Sequence, residues 1–226
     1  MLRFERITGS RSDEIAVEIE QLVIAGWAGR NEAAIQHHIE ELAALGVPRP
    51  SATPIYYRVA AAILTQSPRL VVLGPESSGE VEPVIVSLAD GLWVGIGSDH
   101  TDRKAETMGI ALSKQLCGKP VGRQLWRYAD VEPHWDELIL RSYATIEGER
   151  VLYQESAVAA LRTPRDLIRK YTGADILPPA TVMYCGTPGA IGGIRPGTRF
   201  EMALHDPVLG RTLRHAYDIE VLPVIA

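Results

Sequence analysis

Cysteine is scarce in this chain, with only Cys117 and Cys185 among 226 residues. Two thiols cannot build a disulfide framework, and they suit a reducing compartment. Cys185 lies in an apolar run between Tyr184 and Gly186, a setting for an inert buried thiol rather than a nucleophile. Basic runs are missing as well. The net charge is −5, and no Lys/Arg cluster offers a footing to nucleic acid or to an anionic membrane. No apolar run nears the ~18 residues that a spanning helix needs. Met1 to Arg6 carry charge where a secretion signal needs an apolar core, so the expected location is the cytoplasm. What remains is ordinary globular material, 46% hydrophobic and 23% charged. One domain spanning residues 1–226 accommodates it.

The stretch from Gly79 to Asp99 organises the rest. Two runs rich in Val, Ile, Leu and Trp flank Asp90-Gly91, a strong hairpin signal because both residues tolerate positive φ. With those two as the loop, Ala89 faces Leu92, and counting outward sets Glu82 across from Asp99. Side chains alternate with a period of two, so Glu80 shares the face of Glu82 and lies diagonal to Asp99. Three carboxylates then converge on one patch. Like charges facing each other in a ladder repel, so something must neutralise them. A donor set of carboxylate oxygens without His or Cys favours a hard cation, Mg²⁺ or Mn²⁺, with Ca²⁺ as a further option. The plain alternative is a solvated acidic hairpin face, or a register shifted by a bulge; Pro83 favours that alternative, since proline is poorly tolerated in a paired strand.

Taken in order, residues 1–8 alternate as a first strand, while Glu14 to Ile24 has no clear period. Asn31 is a good N-cap for a helix running from Glu32 to about Leu45, where Gly46 and Pro48 stop it. Ile35, Ile39, Leu42 and Leu45 form its apolar stripe, with His38 at the edge and Glu41 beside it. A histidine held by a carboxylate in this way suits a general base, although a structural pair reads the same. Ile55–Val59 reads as a strand, in which Arg58 is a candidate clamp for a substrate carboxylate. A helix opens at Thr101 and carries Lys114 before ending near Gly118; Lys114 and Lys119 bracket Cys117, and either reaches for an anionic site. Thr163-Pro164 starts a helix that ends by Gly173. A strand from Ala180 to Cys185 meets the loop Gly186–Gly193, whose amides are placed to cradle an oxyanion. No Gly-Lys-Ser/Thr follows, which excludes a P-loop. Thr198 to Val224 alternates as strands around Asp206-Pro207.

Four blocks in this order resemble the fumarylacetoacetate hydrolase-like superfamily. The first is Gly26…His38-Ile39-Glu40-Glu41 with Val47-Pro48-Arg49-Pro50. The second is Glu80-Val81-Glu82, and the third is Ser98-Asp99-His100-Thr101-Asp102-Arg103. The fourth is Gly186-Thr187-Pro188-Gly189…Arg195-Pro196-Gly197-Thr198-Arg199-Phe200-Glu201. The resemblance implies an α+β, β-rich mixed β-roll with a few peripheral helices, forming a homodimer. It implies Mg²⁺ or Mn²⁺ on Glu80, Glu82 and Asp99, with His38 and Glu41 activating water and Lys114 stabilising charge on a carbonyl oxygen. Gln154, Gly186, Thr187 and Arg58 would contact substrate. The implied activity is metal-dependent hydrolase or lyase chemistry on a small 2-oxo or 1,3-dicarbonyl carboxylic acid. A non-catalytic acid- or metal-binding module, or an amide or acyl hydrolase, are the alternatives. Several positions depart from the pattern: Trp27-Ala28-Gly29-Arg30 replaces the Asn-Tyr that follows the first glycine, Arg58 stands for a lysine, and Thr198 for an aspartate.

Overall fold

The computed structural model describes residues 1–44 and 49–225, with the side chains of residues 38 and 41–44 outside the described set. An eight-stranded mixed sheet dominates. From edge to edge it runs Arg11–Val17, Leu2–Thr8, Gln124–Arg127, Gly91–Ser98, Val81–Leu88, Thr181–Tyr184, Gln21–Gly26 and Ile55–Val59. A five-stranded sheet packs against it, in the order Glu149–Ala157, Ile139–Ile146, Arg199–Asp206, Arg211–Leu222 and Arg69–Leu73. The aperiodic stretch after residue 10 resolves into two strands, Arg11–Val17 and Gln21–Gly26.

Burial explains why the two sheets read so differently in sequence. Arg199–Asp206 alternates between half-buried and buried side chains, as a strand with one covered face does. Val81 to Ser87 are buried throughout, because both faces of the large sheet are covered. Alternate residues of its central strands enter separate cores. Val23, Met183, Ile85 and Val94 join the core between the sheets, together with Leu140, Met202 and Leu213. Ile24, Tyr184, Val84 and Trp93 join a second core on the other face with Phe4, Leu64 and Leu125.

Local signals hold where capping chemistry governs. The Asn31 side chain accepts from Ala34 N at 3.0 Å ahead of the helix Glu32–Ala44. Thr163 caps Pro164–Thr172, and Gly173 ends it with φ +73°. The helix expected to run unbroken from Thr101 to Gly118 is instead two, Arg103–Glu106 and Ile110–Leu116. Gly109 adopts an extended conformation between them, which no helix continues through.

Candidate metal centre

The hairpin carries the acids, but its register differs from the expected one. Leu88 pairs with Gly91, so the turn is Ala89-Asp90 rather than Asp90-Gly91, and Glu82 faces Gly97. Asp99 lies across from Glu80, its amide donating to the Glu80 carbonyl at 3.0 Å. The shift is two residues. With a side-chain period of two, it exchanges the opposite and diagonal partners without moving any carboxylate to the other face. One oxygen from each of Glu80, Glu82 and Asp99 lies within 4.8 Å of the others. Pro83 sits in the paired strand without penalty, its carbonyl accepting from Cys185 N at 3.0 Å. On that side the chain leaves the ladder at Gly186, so the missing proline donor falls at its end.

Three cations already surround the acids. Lys114 Nζ binds Asp99 Oδ2 and lies 3.8 Å from Glu80. Lys119 Nζ is 3.1 Å from Asp99 Oδ1, and an Arg103 terminal nitrogen is 3.1 Å from Glu80. Glu82 has no basic partner among the described residues; it is 2% exposed, and its Oε2 accepts from Gly186 N at 2.7 Å. Burial, with Asp99 and Glu80 alongside, drives the Glu82 carboxyl well above its usual range. Burial works in the same direction on Asp99, but Lys114 and Lys119 outweigh it and hold that carboxyl low. Burial disfavours the Lys114 ammonium, and Asp99 and Glu80 more than offset this. The donor chemistry fits a hard divalent ion: three carboxylate oxygens, one acid with no ion-pair partner among the described residues, and Asp99 Oδ1 accepting no aligned hydrogen bond.

The surroundings hold these acids in place from both sides of the strand. Gln154 is 1% exposed; its Oε1 accepts from Val81 N at 3.0 Å and Ser142 Oγ at 3.0 Å. Its Nε2 donates to Thr187 Oγ1 at 2.8 Å and Pro188 O at 2.6 Å. Thr187 in turn donates to Val81 O at 2.9 Å. Both residues were expected to contact substrate. Their polar atoms are instead engaged within the protein, clamping Val81, the residue between the two glutamates. Gly186 N, expected in an oxyanion cradle, serves Glu82. On the opposite face of the partner strand, Ser98 and His100 flank Asp99. Tyr217 Oη donates to Ser98 Oγ at 2.9 Å and lies 2.9 Å from His100 Nδ1, while Ser77 Oγ meets His100 Nε2 at 2.9 Å. Burial, with Lys119 and Arg103 nearby, pulls His100 down to about 3, so it is a neutral pin.

Arg58 is not brought to the acids. It pairs with Val23 across the sheet, which puts it on the inter-sheet face, and its guanidinium donates to Tyr171 Oη at 3.1 Å. Its neighbour Tyr57 pairs with Ile24 and takes the face of the acids. The Tyr57 ring centroid lies 5.8 Å from Lys114 Nζ. Gly26 gives that ring its space, since a Cβ there would meet Tyr57 Cε2 at 2.8 Å. The side chains of His38 and Glu41 lie outside the described residues, although the helix backbone that carries them is described.

The fold built from these two sheets recurs in solved structures. The protein Cg1458 is 18% identical, covering 90% of this chain and 77% of its own, with a TM-score of 0.63. A 2-keto-3-deoxy-D-arabinonate dehydratase complexed with magnesium and 2,5-dioxopentanoate is 12% identical, covering 92% and 75%, at 0.64. Yeast ynq8, a fumarylacetoacetate hydrolase family protein, is 16% identical, covering 92% and 95%, at 0.59. Comparison with curated proteins gave no match. The chain has the fumarylacetoacetate hydrolase-like fold and belongs to the family described as protein of unknown function DUF2848, which matches residues 25–217.

Proposed function

We propose that this chain is a metal-dependent enzyme, a hydrolase or lyase acting on a small 2-oxo or 1,3-dicarbonyl carboxylic acid. The observation that carries the reading is Glu82: a carboxylate 2% exposed, set against two other carboxylates and lacking any cation of its own among the described residues. Such a group is held ionised in this setting only when a positive ion joins it. The magnesium and 2,5-dioxopentanoate bound by the structurally similar dehydratase support the same reading.

Glu80, Glu82 and Asp99 would hold Mg²⁺ or Mn²⁺, which when bound supplies Lewis-acid polarisation of a carbonyl. Lys114, 6% exposed and fixed by Asp99, holds a permanent positive charge where an oxygen of the substrate gains negative charge. Tyr57 walls the same face. Gln154, Thr187 and Gly186 N keep the glutamates from turning, so geometry is set before substrate arrives. His38 with Glu41 remains the proposed pair for activating water, and a homodimer in the cytoplasm the proposed state.

The test is titration calorimetry of Mg²⁺ and Mn²⁺ into chelator-treated protein, comparing wild type with Glu82→Gln. The amide keeps the size of the side chain and an oxygen for Gly186 N, so the fold is retained. Binding should weaken at least about tenfold, the scale already reached when a group supporting a ligand is lost. Equal affinity in the two proteins would remove the metal from the hairpin. Wild-type protein that binds should then be offered a panel of 2-oxo and acylpyruvate acids.

A further inference from the structure

The turn end of the hairpin opens on a cleft that the acid centre does not use. Its volume is about 440 Å³, within the range of small-molecule sites. Residues 87–92 of the hairpin, residues 127–129 and the loop around Asp175 and Leu177 wall it, with Glu132 and Arg165 alongside. These pieces are tied to one another. Ser87 Oγ donates to Leu177 O at 2.8 Å, Ala180 N to Ser87 O at 2.9 Å, and Arg165 Nη2 to Glu132 Oε2 at 2.9 Å. The protein's own bonds therefore set the shape of the cleft. Part of its wall is apolar: Leu88 and Leu92 are half-buried, and Ile176 is 71% exposed.

The charged side chains that line the cleft are committed, with one exception. Asp90 takes Arg6 at 2.6 Å, an arginine it shares with Asp13, and Trp93 Nε1 at 3.0 Å. Glu132 and Arg165 hold each other, with the guanidinium 5.8 Å from the Tyr128 ring. Asp175 takes Arg169 at 2.8 Å. Arg127 is exposed and has no ion pair or side-chain hydrogen bond among the described residues. What sets it apart is its free donors rather than net charge, since acids and arginines offset one another around the rim. We propose that this cleft binds a small amphiphilic monocarboxylate, its head on the Arg127 guanidinium and its apolar body along Leu88, Leu92 and Ile176. A guanidinium meets a carboxylate at two points in one plane, and no second uncommitted cation lines the cleft for a more highly charged anion. The cleft takes no residue from the acid centre, so this site stands whether or not a metal binds there.

The test follows methyl resonances by NMR while octanoate, hexanoate or acetate is titrated into wild type, Arg127→Gln and Ile176→Asp. Chelator-treated protein is used, so that no carboxylate on a metal contributes. Octanoate should bind saturably to wild type and shift the methyls of Leu88, Leu92 and Ile176. Hexanoate should bind more weakly, by up to about fourfold for each methylene removed, and acetate should not saturate. Arg127→Gln should weaken octanoate at least about tenfold, the scale of a hydrogen bond to a charged group. Ile176→Asp should weaken it as well, by repelling the carboxylate and shortening the apolar wall. Both positions are exposed, so both variants keep the fold. Octanoate bound equally by wild type and Arg127→Gln would overturn the proposal. So would the absence of saturable binding by wild type, or shifts confined to the helix that carries Lys114. None of these outcomes touches the metal reading, which the Mn²⁺ titration decides separately.

Discussion

Asp99 and Asp206 are both completely buried aspartates at strand ends, Asp99 just after Gly91–Ser98 and Asp206 closing Arg199–Asp206, and their surroundings are opposite. Asp206 ends the strand Arg199–Asp206 and faces only donors. Its Oδ1 takes Val208 N at 3.1 Å, Leu209 N at 3.0 Å and His134 Nε2 at 3.0 Å, and its Oδ2 takes Arg211 Nε at 3.2 Å. Asp99 faces two other acceptors, Glu80 and Glu82, and depends on lysines from another segment. Burial by itself therefore does not mark a working carboxylate. What distinguishes the two is whether the neighbours donate or repel: the first arrangement closes a turn, and the second keeps charge that a ligand can use.

The largest effect should follow from Asp99→Asn. The amide leaves Lys119 without a counter-charge among the described residues and removes the nearer of two from Lys114. Breaking a buried pair by removing one partner costs roughly 3–5 kcal/mol. Urea unfolding should register that loss, and adding Lys119→Met to the same chain should recover part of it, because the two residues are in contact. A single variant within about 1 kcal/mol of wild type would mean that Asp99 is no more than a surface-like acid.

Asp206→Asn should cost less and should differ in its pH signature. Burial raises this carboxyl, but the Leu209 amide, His134 and Arg211 outweigh it and hold it below its ordinary value. A group whose folded pKa is depressed stabilises the fold above its unfolded pKa, about 3.9, and loses that contribution as pH falls through the folded value. The difference in melting temperature between wild type and Asp206→Asn should thus be steady from neutral pH down to about 5 and shrink below about 4. At neutral pH it should correspond to about 1.5–3 kcal/mol, the range for hydrogen bonds to a charged group. A difference that grows on acidification would reverse the assignment.

The sequence made the convergence of Glu80, Glu82 and Asp99 legible because strand parity survives an error of two in register. Pairing of Leu88 with Gly91 instead of Ala89 with Leu92 changed which acids face each other, but not their side of the sheet. Arg58 shows the converse. In Ile55-Tyr56-Tyr57-Arg58-Val59 nothing local states which alternate set faces the acids, and the pairing of Tyr57 with Ile24 decides it. The fold was readable through caps and turns, at Asn31, Thr163 and Gly173, while the break at Gly109 was hidden in a segment of helical composition. Gln154 and Thr187 were legible as polar residues near the site. Their role as clamps on Val81 depends on contacts across 73 and 106 positions of chain, which no spacing rule reaches.

The smallest effect tests the far end of the same hairpin. Asp90 sits in the turn, its side chain 51% exposed. It takes Arg6 at 2.6 Å and Trp93 Nε1 at 3.0 Å. This acid also has close partners, one of them a cation, but water screens it, and exposed pairs contribute about 0–1 kcal/mol. Asp90→Asn should therefore lower stability by less than about 1 kcal/mol in urea unfolding. Nine residues of extended chain, roughly 30 Å, separate it from Asp99, beyond a Debye length of about 10 Å at moderate salt. Mn²⁺ affinity should then match wild type in the calorimeter. A change in that affinity would mean the hairpin transmits strain from its turn to its open end, and the two ends could no longer be treated as independent.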